Sequence, residues 1–324
     1  MGQQEIDEMY MRRCLQLAQC GRRGAAPNPM VGAVVVCDGQ IIGEGFHQKC
    51  GEAHAEVNAI ASVGDLELLC RSTLYVSLEP CAHYGKTPPC AQLIIDKKIP
   101  TVVVGCRDPF AKVNGRGIAM LREAGITVRE GVLEEECLWV NRRFMTFHTH
   151  RRPYITLKWA QSEDGYIDRL RQDDCTPAVQ FSTPLTRTLV HQMRAENQAI
   201  LVGRRTWELD HPSLTVRHWP GSNPLPIVLS SKSICMGDDT IPVQENTLAA
   251  LMSELYQRGI QSLMVEGGAE TLKSFIDAGL WDEARVETAP VKLGQGVKAP
   301  RLVGEKAKSE EIDGNFIDFF VKKL

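Results

Sequence analysis

Residues 73–90 read TLYVSLEPCAHYGKTPPC. Leu74 to Leu78 is an apolar run of strand length, and it stops at Glu79-Pro80 because proline lacks the amide hydrogen that the next rung of a sheet needs. The chain therefore leaves a sheet at Pro80 and delivers Cys81 into the loop beyond the strand. Cys90 follows after the eight residues Ala-His-Tyr-Gly-Lys-Thr-Pro-Pro, at the start of a predicted helix over 90–97. Upstream, His54-Ala55-Glu56 opens another predicted helix, Ala55–Ala61. One imidazole and two thiolates suit three corners of a tetrahedral zinc, with the fourth left for a water whose pKa the metal lowers to about 7. Glu56 is then spaced to move protons and not to bind the metal, an arrangement suited to hydrolytic removal of an amine from a base. A closed structural zinc with His83 as fourth ligand is the alternative for the same residues.

Working outward, the first half alternates. A helix is expected over 5–20, strands at Val31–Val36 and Ile41–Gly45 joined by a Cys37-Asp38-Gly39-Gln40 turn, a strand at Thr101–Gly105, a helix over 116–124, a strand at Ile126–Arg129 and a helix over 132–146. This is an α/β pattern. The polar stretch His148–Pro153 marks a boundary, with one domain over 1–149 and a second over 150–324. The second restarts with strands at Tyr154–Trp159, Ala199–Val202, Pro226–Leu229, Ser262–Val265 and Phe316–Val321, and helices at Pro184–Ala195 and Leu248–Arg258. The halves share no repeat, so the chain reads as two unlike domains.

Composition narrows the function. With 324 residues, two domains of ordinary size are the default. Lys plus Arg number 37 against 40 Asp plus Glu, so no global positive field draws in a polyanion, and a small substrate is expected over nucleic acid. No apolar run is long enough to span a bilayer, and the charged opening residues do not read as a signal peptide, so no membrane partner and a cytoplasmic location are expected. Eleven cysteines then read as reduced thiols and metal ligands, with Cys14, Cys20, Cys37 and Cys106 as small buried apolar groups.

The eight-residue gap between Cys81 and Cys90 departs from the Cys-x-x-Cys spacing of nucleobase deaminases. SLEPCAHYGKTPPC resembles instead the deaminase domain of the bifunctional riboflavin-biosynthesis deaminase/reductase family, as do APNPMVGAVVV, GEGFHQKCGEAHAEVNAI and DPFAKVNGRGI in the same order. The resemblance implies a cytidine-deaminase-like three-layer α/β/α domain. It also implies that Asn28 contacts the pyrimidine, that His47, His83 and Lys86 contact substrate, as cations that could neutralise a sugar phosphate, and that Asp108 binds substrate. From the residues alone, a turn residue is the alternative reading of Asn28. Phe110 stands where the family more usually has Asn.

In the second half, LKWAQSEDGYI, LVGRRTWELDHPSLTVR and VEGGAETLKSFI each begin at or just after a predicted strand, where open α/β sheets place ligands. Gly267-Gly268 at a strand-to-helix junction is either a phosphate cradle or a tight turn. Together the segments resemble the reductase domain of the same family, which implies a dihydrofolate-reductase-like fold and NADPH. On that resemblance Lys158, Ser162, Asp164, Phe181, Thr206, Asp210, Ser231, Gly268, Ala269, Thr271 and Ser274 fall at cofactor positions, and Arg194, Leu214, Arg217 and Glu266 at substrate positions. Val179 replaces a serine contact, His211 stands where a second Asp is common, and the segment between Arg217 and Pro226 is short.

The whole resemblance implies two steps of riboflavin biosynthesis on a phosphorylated pyrimidine, a zinc-dependent deamination and an NADPH-dependent reduction of the ribosyl chain, in a homo-oligomer. A nucleic-acid base deaminase explains only the first half and would need a basic, aromatic-lined channel. A non-catalytic module with structural zinc is the other alternative.

Overall fold

Two large sheets, of five and eight strands, organise the chain. The computed structural model describes residues 2–82, 88–109, 114–230, 241–243 and 247–322. It divides between His150 and Arg151 into two compact units, one residue beyond the expected division.

The first unit contains α1 (Gln3–Cys20), β1 (Gly32–Cys37), β2 (Gln40–Phe46), α2 (Ala55–Ala61), β3 (Thr73–Leu78), α3 (Cys90–Asp96), β4 (Thr101–Cys106), α4 (Arg116–Glu123), β5 (Thr127–Glu130), α5 (Glu134–Val140) and α6 (Arg142–His150). The strand order is β2-β1-β3-β4-β5. β1 runs antiparallel to β2 and β3, whereas β3, β4 and β5 are parallel. The hairpin turns at Asp38 and Gly39, both at positive φ, as a two-residue connection requires. The crossover helices α3 and α4 pack with one another on one face beside α2, and α1 packs with α5 on the other. β1, β3 and β4 are therefore covered on both sides, which is why Val34, Val76 and Val103 lie in unbroken apolar runs and not in an alternating pattern.

Two expectations shift here. The helix predicted over 132–146 is interrupted at Asn141, whose side chain donates to Met30 O at 2.9 Å and accepts from Met30 N at 2.8 Å. Cys14, Cys37 and Cys106 are buried as expected, but Cys20, at the last turn of α1, is exposed.

The second unit contains β6 (Tyr154–Ser162), β7 (Tyr166–Asp168), α7 (Pro184–Ala195), β8 (Ala199–Gly203), α8 (Arg204–Asp210), β9 (Leu225–Leu229), β10 (Ile241–Val243), α9 (Leu248–Gln257), β11 (Ser262–Val265), α10 (Ala269–Asp277), β12 (Glu283–Ala289), β13 (Val297–Lys298), β14 (Glu305–Ile312) and β15 (Asn315–Val321). Eight strands pair in the order β10-β9-β8-β11-β6-β12-β15-β14. Those from β10 to β12 are parallel, and β15 and β14 close the sheet antiparallel. The short β7 pairs with β13. β12 and β14 escape the sequence pattern, because β12 carries Arg285 and Glu287 into the sheet interior and β14 is a polar edge strand. Among the described residues no helix is long and apolar enough to cross a membrane.

Candidate functional site

The adjacent parallel strands β3 and β4 end level with each other, Leu78 opposite Cys106, and the Glu79 amide donates to Cys106 O at 2.9 Å. The loop after β3 carries Cys81 and the loop after β4 carries Asp108. The start of β1 reaches the same edge, where the Gly32 amide donates to Ser77 Oγ at 3.1 Å, so Asn28 enters from there. α2 brings His54 as its N-cap residue and Glu56 in its first turn. Carboxyl ends of parallel strands are where such sheets hold ligands.

His54, Cys81 and Cys90 converge. His54 Nδ1 lies 3.6 Å from Cys81 Sγ and 3.4 Å from Cys90 Sγ, and the three ligand atoms are all within 4.8 Å of one another. Zinc with bonds of about 2.3 Å to sulfur and about 2.0 Å to nitrogen sets tetrahedral S···N corners about 3.6 Å apart, so the spacing fits zinc without rearrangement. The Cys90 amide, at the start of α3, donates to Cys81 Sγ at 3.2 Å. Hydrogen bonds from the Cys90 thiol and His54 hold the Cys81 thiol below its ordinary range against burial. Glu56, 3% exposed, is pushed up to about 7 by burial and by the Cys81 charge. A carboxyl near neutrality suits a group that takes and returns a proton.

His47 sits edge-on to His54, ring centroids 5.4 Å apart. Its Nδ1 bonds Ala53 O at 3.0 Å, and its Nε2 lies 3.1 Å from Asn28 Nδ2. A carbonyl only accepts, so Nδ1 carries the hydrogen and Nε2 accepts from Asn28. Burial, helped by the His54 charge, pushes the His47 pKa down. In this geometry the His47 ring is a buried link between Ala53 O and the Asn28 side chain. Asp108 is 8% exposed. His83, Lys86 and Phe110 lie outside the described residues.

In the second unit a cavity of about 660 Å³ opens over the strand ends, within the size range of ligand pockets. Lys158, Phe181, Thr206, Asp210 and the turn Gly268, Ala269, Thr271 line it, as does Glu266. Gly268 has φ of +64°, and a Cβ there would approach Thr206 Oγ1 to 3.1 Å, so glycine keeps the main chain open at the N-terminus of α10. With Arg205 also on the wall, the cavity offers amides and a guanidinium to a phosphorylated nucleotide, so the residues fit NADPH. Burial lowers the Lys158 pKa, with Arg285 and Arg194 adding to it and Glu266 and Glu287 opposing.

Other expected positions are engaged elsewhere. Ser162 Oγ closes the turn to β7 through Tyr166, and Asp164 accepts from the Leu293 and Gly294 amides at 3.1 and 2.7 Å; neither lines the cavity. Ser274 Oγ donates to Thr271 O inside α10. Asp210 pairs with Arg171 at 2.5 Å, and Arg171 also binds Asp168 at 2.7 Å, a buried cation on the wall that sequence reasoning missed. Ser231 lies outside the described residues.

Arg194 and Glu266 hold each other. Nε and Nη2 of Arg194 donate to the two carboxylate oxygens at 2.8 and 2.7 Å, and Nη1 donates to Thr215 O at 3.1 Å. Burial raises Glu266, but the bond from Arg194 and the charge of Lys158 outweigh it and leave it below the usual range. The Arg217 amide donates to His191 Nδ1 at 3.1 Å, while its side chain is exposed. Leu214 is buried against Ile200, Val202 and Val228.

Residues 4–106 match the cytidine and deoxycytidylate deaminase zinc-binding region, and residues 153–313 match the RibD C-terminal domain. The riboflavin biosynthesis protein RibD of Aquifex aeolicus is 39% identical, covering 98% of both chains. That of Escherichia coli K12 is 36% identical over 90% of each. A crystal structure from Thermotoga maritima, described as a diaminohydroxyphosphoribosylaminopyrimidine deaminase/5-amino-6-(5-phosphoribosylamino)uracil reductase, superposes with a TM-score of 0.87 at 34% identity, covering 99% of this chain and 100% of that one. The first unit is accordingly cytidine-deaminase-like and the second dihydrofolate-reductase-like, and the chain belongs to the RibD family of riboflavin-biosynthesis deaminase/reductases.

Proposed function

We propose that the first unit removes the 2-amino group of 2,5-diamino-6-(5-phosphoribosylamino)pyrimidin-4-one as ammonia, and that the second reduces the ribosyl group of the product to a ribityl chain. The observation that carries this is the buried Glu56 carboxyl beside a His54, Cys81 and Cys90 triad at zinc-binding distances, in a chain aligned nearly end to end with RibD relatives. His54, Cys81 and Cys90 would hold a zinc ion, which when bound would supply a water of pKa about 7 as the nucleophile. Glu56 takes up a proton at its carboxyl and returns it to the departing amine, so ammonia leaves neutral. Asn28, oriented by His47, sets the ring edge. Asp108 binds substrate from the loop beyond β4, and His83 and Lys86 from the long insert before Cys90.

In the second unit NADPH supplies the hydride. Gly268, Ala269 and Thr271 carry its phosphates at the start of α10, with Thr206, Asp210, Phe181 and Ser231 as further contacts. Ser162 and Asp164 act from behind, through the turns they close, and Ser274 through its bond to Thr271 O inside α10. Lys158 faces the reacting carbons, and Arg194, Leu214, Arg217 and Glu266 form the substrate side. The cytoplasm is our assignment for location, supported by the eight described cysteines outside the zinc triad, which are all free thiols. A homo-oligomer is our reading of the assembly, with the exposed Leu138 and Trp139 as an apolar contact for it, and light scattering tests it.

Purified protein with zinc and NADPH should release ammonia from the diaminopyrimidine and oxidise NADPH with the deaminated product. Glu56→Gln should keep its zinc, lose ammonia release and still oxidise NADPH with pre-deaminated substrate. Undiminished ammonia release from that variant refutes the assignment of Glu56.

A further inference from the structure

Glu79 stands between the two loops delivered by β3 and β4, and the chemistry set out above does not use it. Its side chain belongs to a residue only 3% exposed. Its carboxylate accepts four main-chain amide hydrogens: Oε1 from Gly117 at 2.9 Å and Ile118 at 3.3 Å, Oε2 from Gly115 at 2.8 Å and Asp108 at 3.4 Å. It fills from outside the first amides of α4, whose own cap residue, Gly115, has no side chain to offer. Negative charge at that end also suits the helix dipole. The junction is close-packed as well, since a Cβ on Gly117 would lie 1.9 Å from the Pro80 carbonyl oxygen.

The segment from Asp108 to Ile118 is therefore tied to Glu79 at both of its ends, and Glu79 is two residues from Cys81. We propose that Glu79 is a positioning residue of the deaminase, whose carboxylate holds the Asp108 loop in register with the Cys81 loop and acts on turnover through Asp108. This rests on the reading of Asp108 as a substrate contact. A glutamine at 79 keeps one acceptor oxygen and turns the other into a donor facing two amide hydrogens. One pair of bonds is lost whichever way the amide is turned.

The test is a double-mutant cycle in the full-length zinc-loaded protein with Glu79→Gln, Asp108→Asn and both together. KM and kcat for ammonia release, zinc per chain, and NADPH oxidation with the deaminated product are read for each. A misplaced substrate contact costs about 10- to 100-fold in kcat/KM, mostly in KM, with zinc and the reductase rate retained. In the Asp108→Asn background the same change should add less than about twofold, because the contact it positions is already gone. Equal losses in both backgrounds, or a loss that tracks zinc, overturn the proposal. Asp108→Asn alone with unaltered kcat/KM overturns the reading of Asp108, a failure visible in that single variant. If Glu79→Gln does not fold, Glu79→Asp, which keeps the charge but draws it back by one methylene, carries the same cycle.

Discussion

Glu266→Gln is the substitution with the largest effect to be worked from the second unit. The Arg194 and Glu266 side chains are 12% and 9% exposed and meet through two parallel bonds of 2.8 and 2.7 Å. A glutamine can accept only one of those hydrogens, and it leaves the guanidinium charged in a buried site with Lys158 close by. Removing one partner of such a pair costs about 3–5 kcal/mol, because the remaining charge has been taken out of water without compensation. Native-state hydrogen exchange reads this directly. Amides of α7 and β11, which carry or precede the pair, should exchange about 100- to 4000-fold faster, at about 1.4 kcal/mol per factor of ten. Peptides from β3 and β4 serve as the reference. Pairing Glu266→Gln with Arg194→Met should recover most of the loss, since it removes the stranded charge. The pair also has a pH signature: Glu266 is held below its ordinary range, so its contribution is complete above that range and is lost as pH falls through the depressed value. Less than about threefold acceleration in α7 and β11 would refute the account of the pair as a buried, mutually compensating unit.

Other consequences concern both units. Chelating the zinc should abolish ammonia release and leave NADPH oxidation with the deaminated product intact, measured on one sample. Asn141→Ala leaves the N–H and C=O of Met30 without their side-chain partner, at about 1–3 kcal/mol, and should raise the deaminase KM by releasing the Asn28 loop. Asp7→Ala, at a buried carboxylate bonded by the Tyr75 hydroxyl at 2.8 Å and by Arg129, should lower the urea midpoint of the first unit by an amount equivalent to about 1–3 kcal/mol. His191 is held down to about 4 by burial and by Arg194, His218 and Arg217, so the folded unit binds fewer protons there than the unfolded chain. Its contribution to stability should rise with pH between about 4 and 6.5 and be level above that, which ring NMR titration checks.

The central strands were legible where burial on both faces demands unbroken β-branched runs, as in Val34 to Val36 of the antiparallel β1 and Val102 to Val104 of the parallel β4. β12 was not, because its interior face carries ions. Glu287, fully buried, accepts from Thr186 Oγ1 at 2.6 Å, Asn315 Nδ2 at 2.7 Å, Ser182 Oγ at 3.0 Å and Arg285 Nη1 at 3.1 Å. Arg285 is two positions away, but Thr186, Asn315 and Ser182 lie 101, 28 and 105 positions away, so a local window shows an ion pair and not the hydroxyl and amide donors that let it be buried. The split at Asn141 was hidden for the same reason: its partner is Met30, and helical periodicity runs straight through it.

The zinc triad was readable because metal chemistry fixes donor types and spacing, and a strand end at Pro80 fixes where the first thiolate falls. The groups that orient the site obey no such rule. The family resemblance implies that His47 contacts substrate, as a cation that could neutralise a sugar phosphate, and says nothing of what orients the ring. What orients it is a carbonyl, Ala53 O, a group every residue possesses and no sequence marks. Once that carbonyl accepts from Nδ1, the other ring nitrogen is free to accept, Asn28 Nδ2 is committed to it, and the side-chain oxygen of Asn28 is left as the acceptor to meet a ring or exocyclic N–H. On the proposed role of Asn28 as a pyrimidine contact, a fixed acceptor selects a ring that presents a donor at that edge, so part of the specificity would be written in the main chain of the segment before α2 and read out through two side chains.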